Sequence, residues 1–287
     1  MSIRIGVVIP AHNEAGVIGD LLGRLTGAPE SDALDIVVVA NGCTDQTAAI
    51  ARSAAGPVRV VEIDQASKVA ALNAGDEHCA VFPRAYVDAD VSIDAGTLLA
   101  LVDVLADADL PLVASPTLTV DVSQSRWAVR QYYRMWALTD YRKRGHVGSG
   151  VYAVSAAGRA RWGAFPDVIA DDRFVQQRFQ EHERRTLADH EFSVRAPDAM
   201  HAVIDRGVRI HAGNRTLPDH AGLARRATVV ERAGALLGPV ALKPWLWPAL
   251  AVYIGARTVI GYLAGRLVRS ERTITWNRDE SSRSGGS

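Results

Sequence analysis

In Asp88-Ala89-Asp90 two carboxylates bracket one residue, directly after the apolar run Ala85-Tyr86-Val87. Carboxylate oxygens are hard ligands that suit divalent cations. A strand ending in such a pair sets them on the lip of a sheet, where a cation and a diphosphate can meet. An isolated Asp-x-Asp also suits a strand-end turn, so the pair needs company before it means chemistry. It has company. His12-Asn13-Glu14 follows the run Ile3 to Pro10, and Asn41 to Asp45 follows Asp35 to Ala40. Three polar clusters, each at the end of an apolar run, form the pattern of a site built along one edge of a sheet.

The elements that must carry these clusters alternate. Strand patterns at Ile3 to Pro10, Asp35 to Ala40, Val58 to Ile63, Ala85 to Asp88 and Leu112 to Ser115 are separated by helical patterns. Those helices run Ala15 to Leu25, Asp45 to Ala54, Ser67 to Cys79 and Asp94 to Ala106. Such alternation predicts right-handed crossovers and an α/β, Rossmann-like, mostly parallel sheet with helices on both faces. Ser125 to Arg144 reads as one long helix, with Val129, Tyr132, Tyr133 and Trp136 in a stripe and Arg126, Arg130 and Arg134 beside it.

The rest of the chain has a different character. Ten basic residues lie between Arg206 and Arg269, opposed only by Asp219 and Glu231, although the 287-residue chain has zero formal net charge. The same region holds its most apolar segment, Pro244 to Gly265, with Trp245, Trp247, Tyr253 and Tyr262. Basic charge beside an apolar, aromatic helix suits an anionic membrane surface. Pro244, Pro248 and Arg257 interrupt the segment, and a central arginine costs about 2.5–3.5 kcal/mol on insertion. A helix lying on or re-entering the membrane is therefore expected in preference to a span. A buried helix in a soluble homodimer is the structural alternative. Zero net charge gives no case for nucleic acid. The start shows no signal-peptide pattern, and Cys43 and Cys79 form no metal or redox spacing, so a cytoplasmic setting at the inner membrane face is expected. The stretch 271–287 reads as a flexible polar tail.

Taken in order, Val8-Ile9-Pro10-Ala11-His12-Asn13-Glu14, Asn41 to Thr47, Lys68, Asp88-Ala89-Asp90 and Ala170-Asp171-Asp172 resemble the motifs of the family 2 glycosyltransferases, of GT-A fold. The resemblance covers roughly Ile3 to Asn214. It implies a catalytic domain over 1–215, with a nucleotide-sugar half to about 115 and an acceptor half beyond it. A helical, membrane-associated segment would occupy 216–270.

The resemblance also implies roles. Pro10, Ala11 and Glu14 would form a wall against base and ribose, though Glu14 also suits the first turn of a helix. Asp45 would face the nucleotide, or cap the helix after it. Asn41 stands where the family usually has an acid, which leaves the choice of base open. Lys68 would face the diphosphate; Asn73, in the Asn-x-Gly that follows, is a weaker candidate. Asp90 would hold a Mn²⁺ or Mg²⁺ ion, with Asp88 touching metal or ribose. Gly148-Ser149-Gly150 would line the donor sugar. Asp171-Asp172 stands in the place of a Glu-Asp pair, with Asp172 as base toward an acceptor hydroxyl. Two acids at a helix N-terminus also have a purely structural account. Arg206 to Asn214 loosely resembles the Gln-x-x-Arg-Trp segment of processive members. Arg209 there would face the diphosphate and His211 the metal, while Ile210 in the Trp place argues against a polymerase.

The implied function is transfer of a sugar from a nucleotide donor to a glycan, lipid-linked or small hydroxyl acceptor, by inversion. A retaining transferase and a non-catalytic nucleotide-sugar binder are the alternatives. A nucleotidyltransferase would need a glycine- and arginine-rich loop after the first strand, and Ala11-His12-Asn13-Glu14 is not one.

Overall fold

The computed structural model describes residues 4–106, 109–139, 147–168, 170–216, 240 and 242–269. The expected polar tail, most of the 216–239 stretch and the last residues of the long helix expected to Arg144 lie outside them. The chain forms two compact units. One holds residues 4–119 and 147–194, and the other 120–139, 195–216, 240 and 242–269.

The first unit begins with β1 (Ile5–Ala11), α1 (Ile18–Thr26), β2 (Leu34–Asn41), α2 (Thr47–Ser53), β3 (Val58–Ile63), α3 (Lys68–His78) and β4 (Arg84–Val87). β1, β2 and β4 are buried along their whole length, save for Asp35, which accounts for their near-continuous apolar runs. α1 buries Ile18, Leu21, Leu22 and Leu25, one stripe at helical spacing. Caps set the starts of two helices. Ser67 accepts a hydrogen bond from the Ala70 amide at the head of α3, and Asp94 from the Thr97 amide at the head of α4 (Ala95–Val104). Gly75 lets α3 press onto the sheet, because a Cβ there would lie 2.2 Å from Val8 Cγ1.

The sheet is mixed. β1 pairs in parallel with β2 and β4, and β2 with β3. Beyond β4 the direction alternates. β7 (Val151–Val154) runs antiparallel to β4 and to β6 (Val113–Asp121), and the two-residue β5 (Val91–Ser92) pairs antiparallel with β8 (Arg184–Arg195). The order is β3-β2-β1-β4-β7-β6-β8-β5. The parallel half follows the alternation in the sequence; in the antiparallel half the alternation marks the start of β6, at Leu112 to Ser115, but not β5, β7 or β8. Two short helices, α6 (Ala156–Arg159) and α7 (Asp171–Gln176), complete this unit.

The second unit is helical: α5 (Trp127–Trp136), α8 (Met200–Thr216) and α9 (Trp247–Arg269). Val129 and Tyr132 of α5, Val203 of α8 and Ala256 of α9 share one buried cluster. Met135 packs in a second with Val240, Leu246 and Ala249. Gly207 admits Ile260, whose Cδ1 would lie 2.5 Å from a Cβ placed there.

Candidate active site

Asp88 follows β4 directly, and its amide donates to the Gly150 carbonyl at 2.8 Å. Lys68, the first residue of α3, sets its Nζ 2.7 Å from Asp88 Oδ1 and 3.0 Å from Asp171 Oδ1. A lysine opening a helix is ordinarily solvated. This one is largely buried, its side chain 22% exposed, because two carboxylates from distant parts of the sequence converge on it. Burial alone would lower its pKa, but Asp171 and Asp88 hold the ammonium above its ordinary value. Burial pushes the Asp88 carboxyl up to about 6, against the pull of Lys68 and with Asp171 and Asp90 adding to the rise. Asp171, 4% exposed, is raised by burial as well.

Asp172 is the next residue of α7. Its Oδ2 accepts from the Ser149 amide at 3.0 Å and its Oδ1 from the Arg173 amide at 2.6 Å. The turn that presents Ser149 needs left-handed backbone at three successive residues: Gly148 (φ 113°), Ser149 (φ 63°) and Gly150 (φ 109°). A Cβ on Gly148 would fall 2.5 Å from that of Asp172. The glycine turn therefore seats Asp172.

At the ends of β1 and β2 a second polar cluster is tied together. Asp45 accepts from the Ala15 amide at 3.1 Å and the Thr47 amide at 3.0 Å, and the Glu14 amide donates to Thr47 Oγ1 at 2.6 Å. Asn13 Oδ1 accepts from the Thr44 amide at 2.6 Å. These bonds fix the loop after Pro10 and Ala11 against the loop after Asn41. Asp45 stands two residues before α2 and its carboxylate bridges both loops, while Gln46 takes the N-cap position without a side-chain bond. Glu14 is 5% and Asn41 1% exposed, and Asn41 Nδ2 has no hydrogen-bond partner among the described residues. A buried amide with unspent donors suits a ligand that brings an acceptor. Asn73 has a structural task, bonding both the amide and the carbonyl of Phe165, at 2.7 and 3.2 Å.

Arg209 and His211 sit within the continuous helix α8, in the second unit. The expected Arg206 to Asn214 motif is thus one stretch of helix. Among the described residues no three His, Cys, Asp or Glu side chains gather as a metal cage. The acids present suit a cation that arrives with its ligand. Asp88 and Asp171 share Lys68, with Asp172 next to Asp171 and the exposed Asp90 close to Asp88, and ions of this kind take one or two carboxylates plus phosphate oxygens.

Sequence reasoning passed over Tyr152. It pairs in register with Tyr86, the rings stack at 5.0 Å, and its buried hydroxyl has no hydrogen-bond partner among the described residues. Burial, then the nearby Asp171, raises this phenol well above its ordinary pKa, so at neutral pH it keeps its proton and has a hydroxyl hydrogen to donate. A lone phenol in the apolar run Val151 to Val154 is the single signal that could have marked it.

A Rossmann-like half-sheet with acids at its strand ends, joined to an antiparallel half, is an architecture of the GT-A class. The family model "Glycosyl transferase family 2" matches residues 6–162, and the chain belongs to that family. Two similar solved structures share the fold. A mannosyltransferase, PcManGT from Pyrobaculum calidifontis, in complex with GDP-Man and Mn²⁺, is 22% identical, with 94% of this chain and 79% of that one covered and a TM-score of 0.59. S. aureus TarS 1-349 in complex with UDP is 15% identical, with 97% and 95% covered and a TM-score of 0.51. No curated protein matches the chain significantly.

Proposed function

We propose that the chain transfers a hexosyl group from a nucleoside diphosphate sugar to an acceptor hydroxyl, with inversion. The observation that carries this reading is the cluster in which Lys68 joins the end of β4 to the head of α7, beside an Asp172 fixed by the glycine turn. PcManGT binds GDP-Man and Mn²⁺, and TarS binds UDP, which supports a nucleotide-sugar donor and a divalent cation here. Asp88 and Asp90 would hold that cation, which would neutralise charge growing on the departing diphosphate.

The chain's own residues do the rest. Pro10, Ala11, Glu14 and Asn41 receive the nucleoside, and Asp45 keeps their two loops together. Asp172, oriented by the amides of Ser149 and Arg173, takes the proton of the acceptor hydroxyl. As that proton moves, the acceptor oxygen bonds to the anomeric carbon from the face opposite the leaving group. The bond from that carbon to the diphosphate oxygen breaks, and the nucleoside diphosphate leaves with the electron pair. Asp171 acts through Lys68 as a positioning residue. Arg209 and His211 are assigned no step in this scheme. The acceptor is a lipid-linked or cell-surface glycan precursor, in keeping with the basic, aromatic C-terminal third.

Thermal denaturation with each nucleoside diphosphate, with and without Mn²⁺, tests the donor site. One nucleotide is expected to raise the melting temperature only with the metal, as RT ln(1 + [L]/Kd) requires. No metal-dependent rise with any nucleotide would sink the reading. Proton NMR of the product's anomeric centre decides inversion against retention.

A further inference from the structure

α9 is 23 residues long and, with the turn before it, is apolar and long enough to cross a membrane, yet little of it is buried. Its two faces differ. Ala249, Ala256, Ile260 and Ala264 are buried, on the side that meets α5 and α8. Trp247, Ala251, Ile254, Val259, Tyr262 and Leu263 are exposed on the other side, with Gly255 and Thr258 among them, so they form one broad, mostly apolar face, a wide stripe along the helix. From Trp247 to Leu263 that stripe runs about 24 Å at about 1.5 Å per residue. Arg257 does not interrupt it, because its guanidinium engages the Tyr132 hydroxyl on α5.

We propose that this stripe seats the protein on an anionic lipid bilayer, with α9 lying in the plane of the headgroups. An exposed apolar face of this extent marks an interaction site. Amphipathic aromatics stand near its ends, Trp245 and Trp247 at one and Tyr262 at the other, as suits the headgroup level. Lys243 and Arg266 bracket it, and no acid lies between them. That charge suits lipid phosphates. It opposes a second copy, since parallel or antiparallel pairing of two stripes would bring like charges together. Crossing is opposed by the other face: α5 and α8 would follow α9 into hydrocarbon with Arg130, Arg134 and Asp205. The inference deepens the membrane-bound acceptor in the reading above but does not depend on the donor chemistry.

Flotation of the full chain with phosphatidylcholine vesicles, with and without phosphatidylglycerol, tests it. The chain is expected to float with the anionic vesicles and to be released by alkaline carbonate. Ile254→Glu with Val259→Glu should lower vesicle affinity by at least about tenfold, because charges would enter the apolar contact. Both sites are exposed, so the variant should keep the wild-type melting temperature and nucleotide-induced shift. Flotation with neither vesicle, flotation unchanged in the variant, retention after carbonate, or a solution dimer that the variant dissolves would each overturn it. The nucleotide-induced shift reports the donor site separately, so the two readings can fail independently.

Discussion

Lys68 bridges two carboxylates with a single positive charge, and the balance around it sets how the proposed site would meet a cation. In the proposed scheme a proton and a divalent ion would compete for Asp88, whose pKa is raised to about 6. Above that pH the carboxylate is ionised and the cation binds without displacing a proton. Below it the cation must expel one, so apparent affinity should fall by about tenfold per pH unit. Calorimetric titration of Mn²⁺ with the nucleotide across pH 5 to 7 checks the sign; affinity that rises on acidification would contradict it. Asp172 is tested on rate. Asp172→Asn keeps the shape but cannot take a proton, so kcat should fall on the order of 10²–10⁴-fold with donor affinity kept. Gly148→Ala should act on the same step indirectly. Its methyl group meets Asp172 in a backbone conformation that favours glycine, and a displaced base should cost roughly 10²-fold in kcat. If Gly148→Ala raised only the donor KM, the turn would be lining the sugar and not seating the base.

Among the elements, Asp76 of α3 is the junction. It accepts from Arg84 and Tyr86 of β4 and, at 2.6 and 2.9 Å, from Arg159 of α6. All four are largely buried, so Asp76→Ala strands two guanidinium groups and should cost about 3–5 kcal/mol in urea denaturation. A loss under 1 kcal/mol would mean water replaces the acid. Much of this framework was legible in the chain. β1, β2 and β4 announced themselves because strands buried on both faces read as unbroken apolar runs, and β3 as a short run rich in β-branched residues. Ser67 and Asp94 marked helix starts because their side chains accept amides that the first turn leaves unpaired. β5 and β8 gave no such signal. β5 is two residues long, and β8 carries Arg184, Arg185, Asp189, His190 and Glu191 with only Leu187, Phe192 and Val194 buried. In the candidate site, acids and lysine were legible as residue types. Lys68 meeting Asp171 across 103 positions was not, since only the folded sheet brings them together.

For the whole molecule, the zero net charge hides a segregation: ten basic residues against two acidic between Arg206 and Arg269. Exposed charges are screened beyond about 8 Å at physiological salt. Recovery with anionic vesicles should therefore drop as salt rises from 0.05 to about 0.5 M, while donor binding in its buried cluster changes less. Equal salt sensitivity of both would argue that one charge field serves both. The second unit also draws α5 from the middle of the chain and α9 from its far end. During synthesis, at about 5–20 residues per second, α9 leaves the ribosome roughly 5–20 s after α5. Over that interval Val129, Tyr132 and Met135 are without the helix that later covers them. A nascent chain halted before Trp247 should accordingly be a chaperone client, and one allowed to reach Arg269 should not.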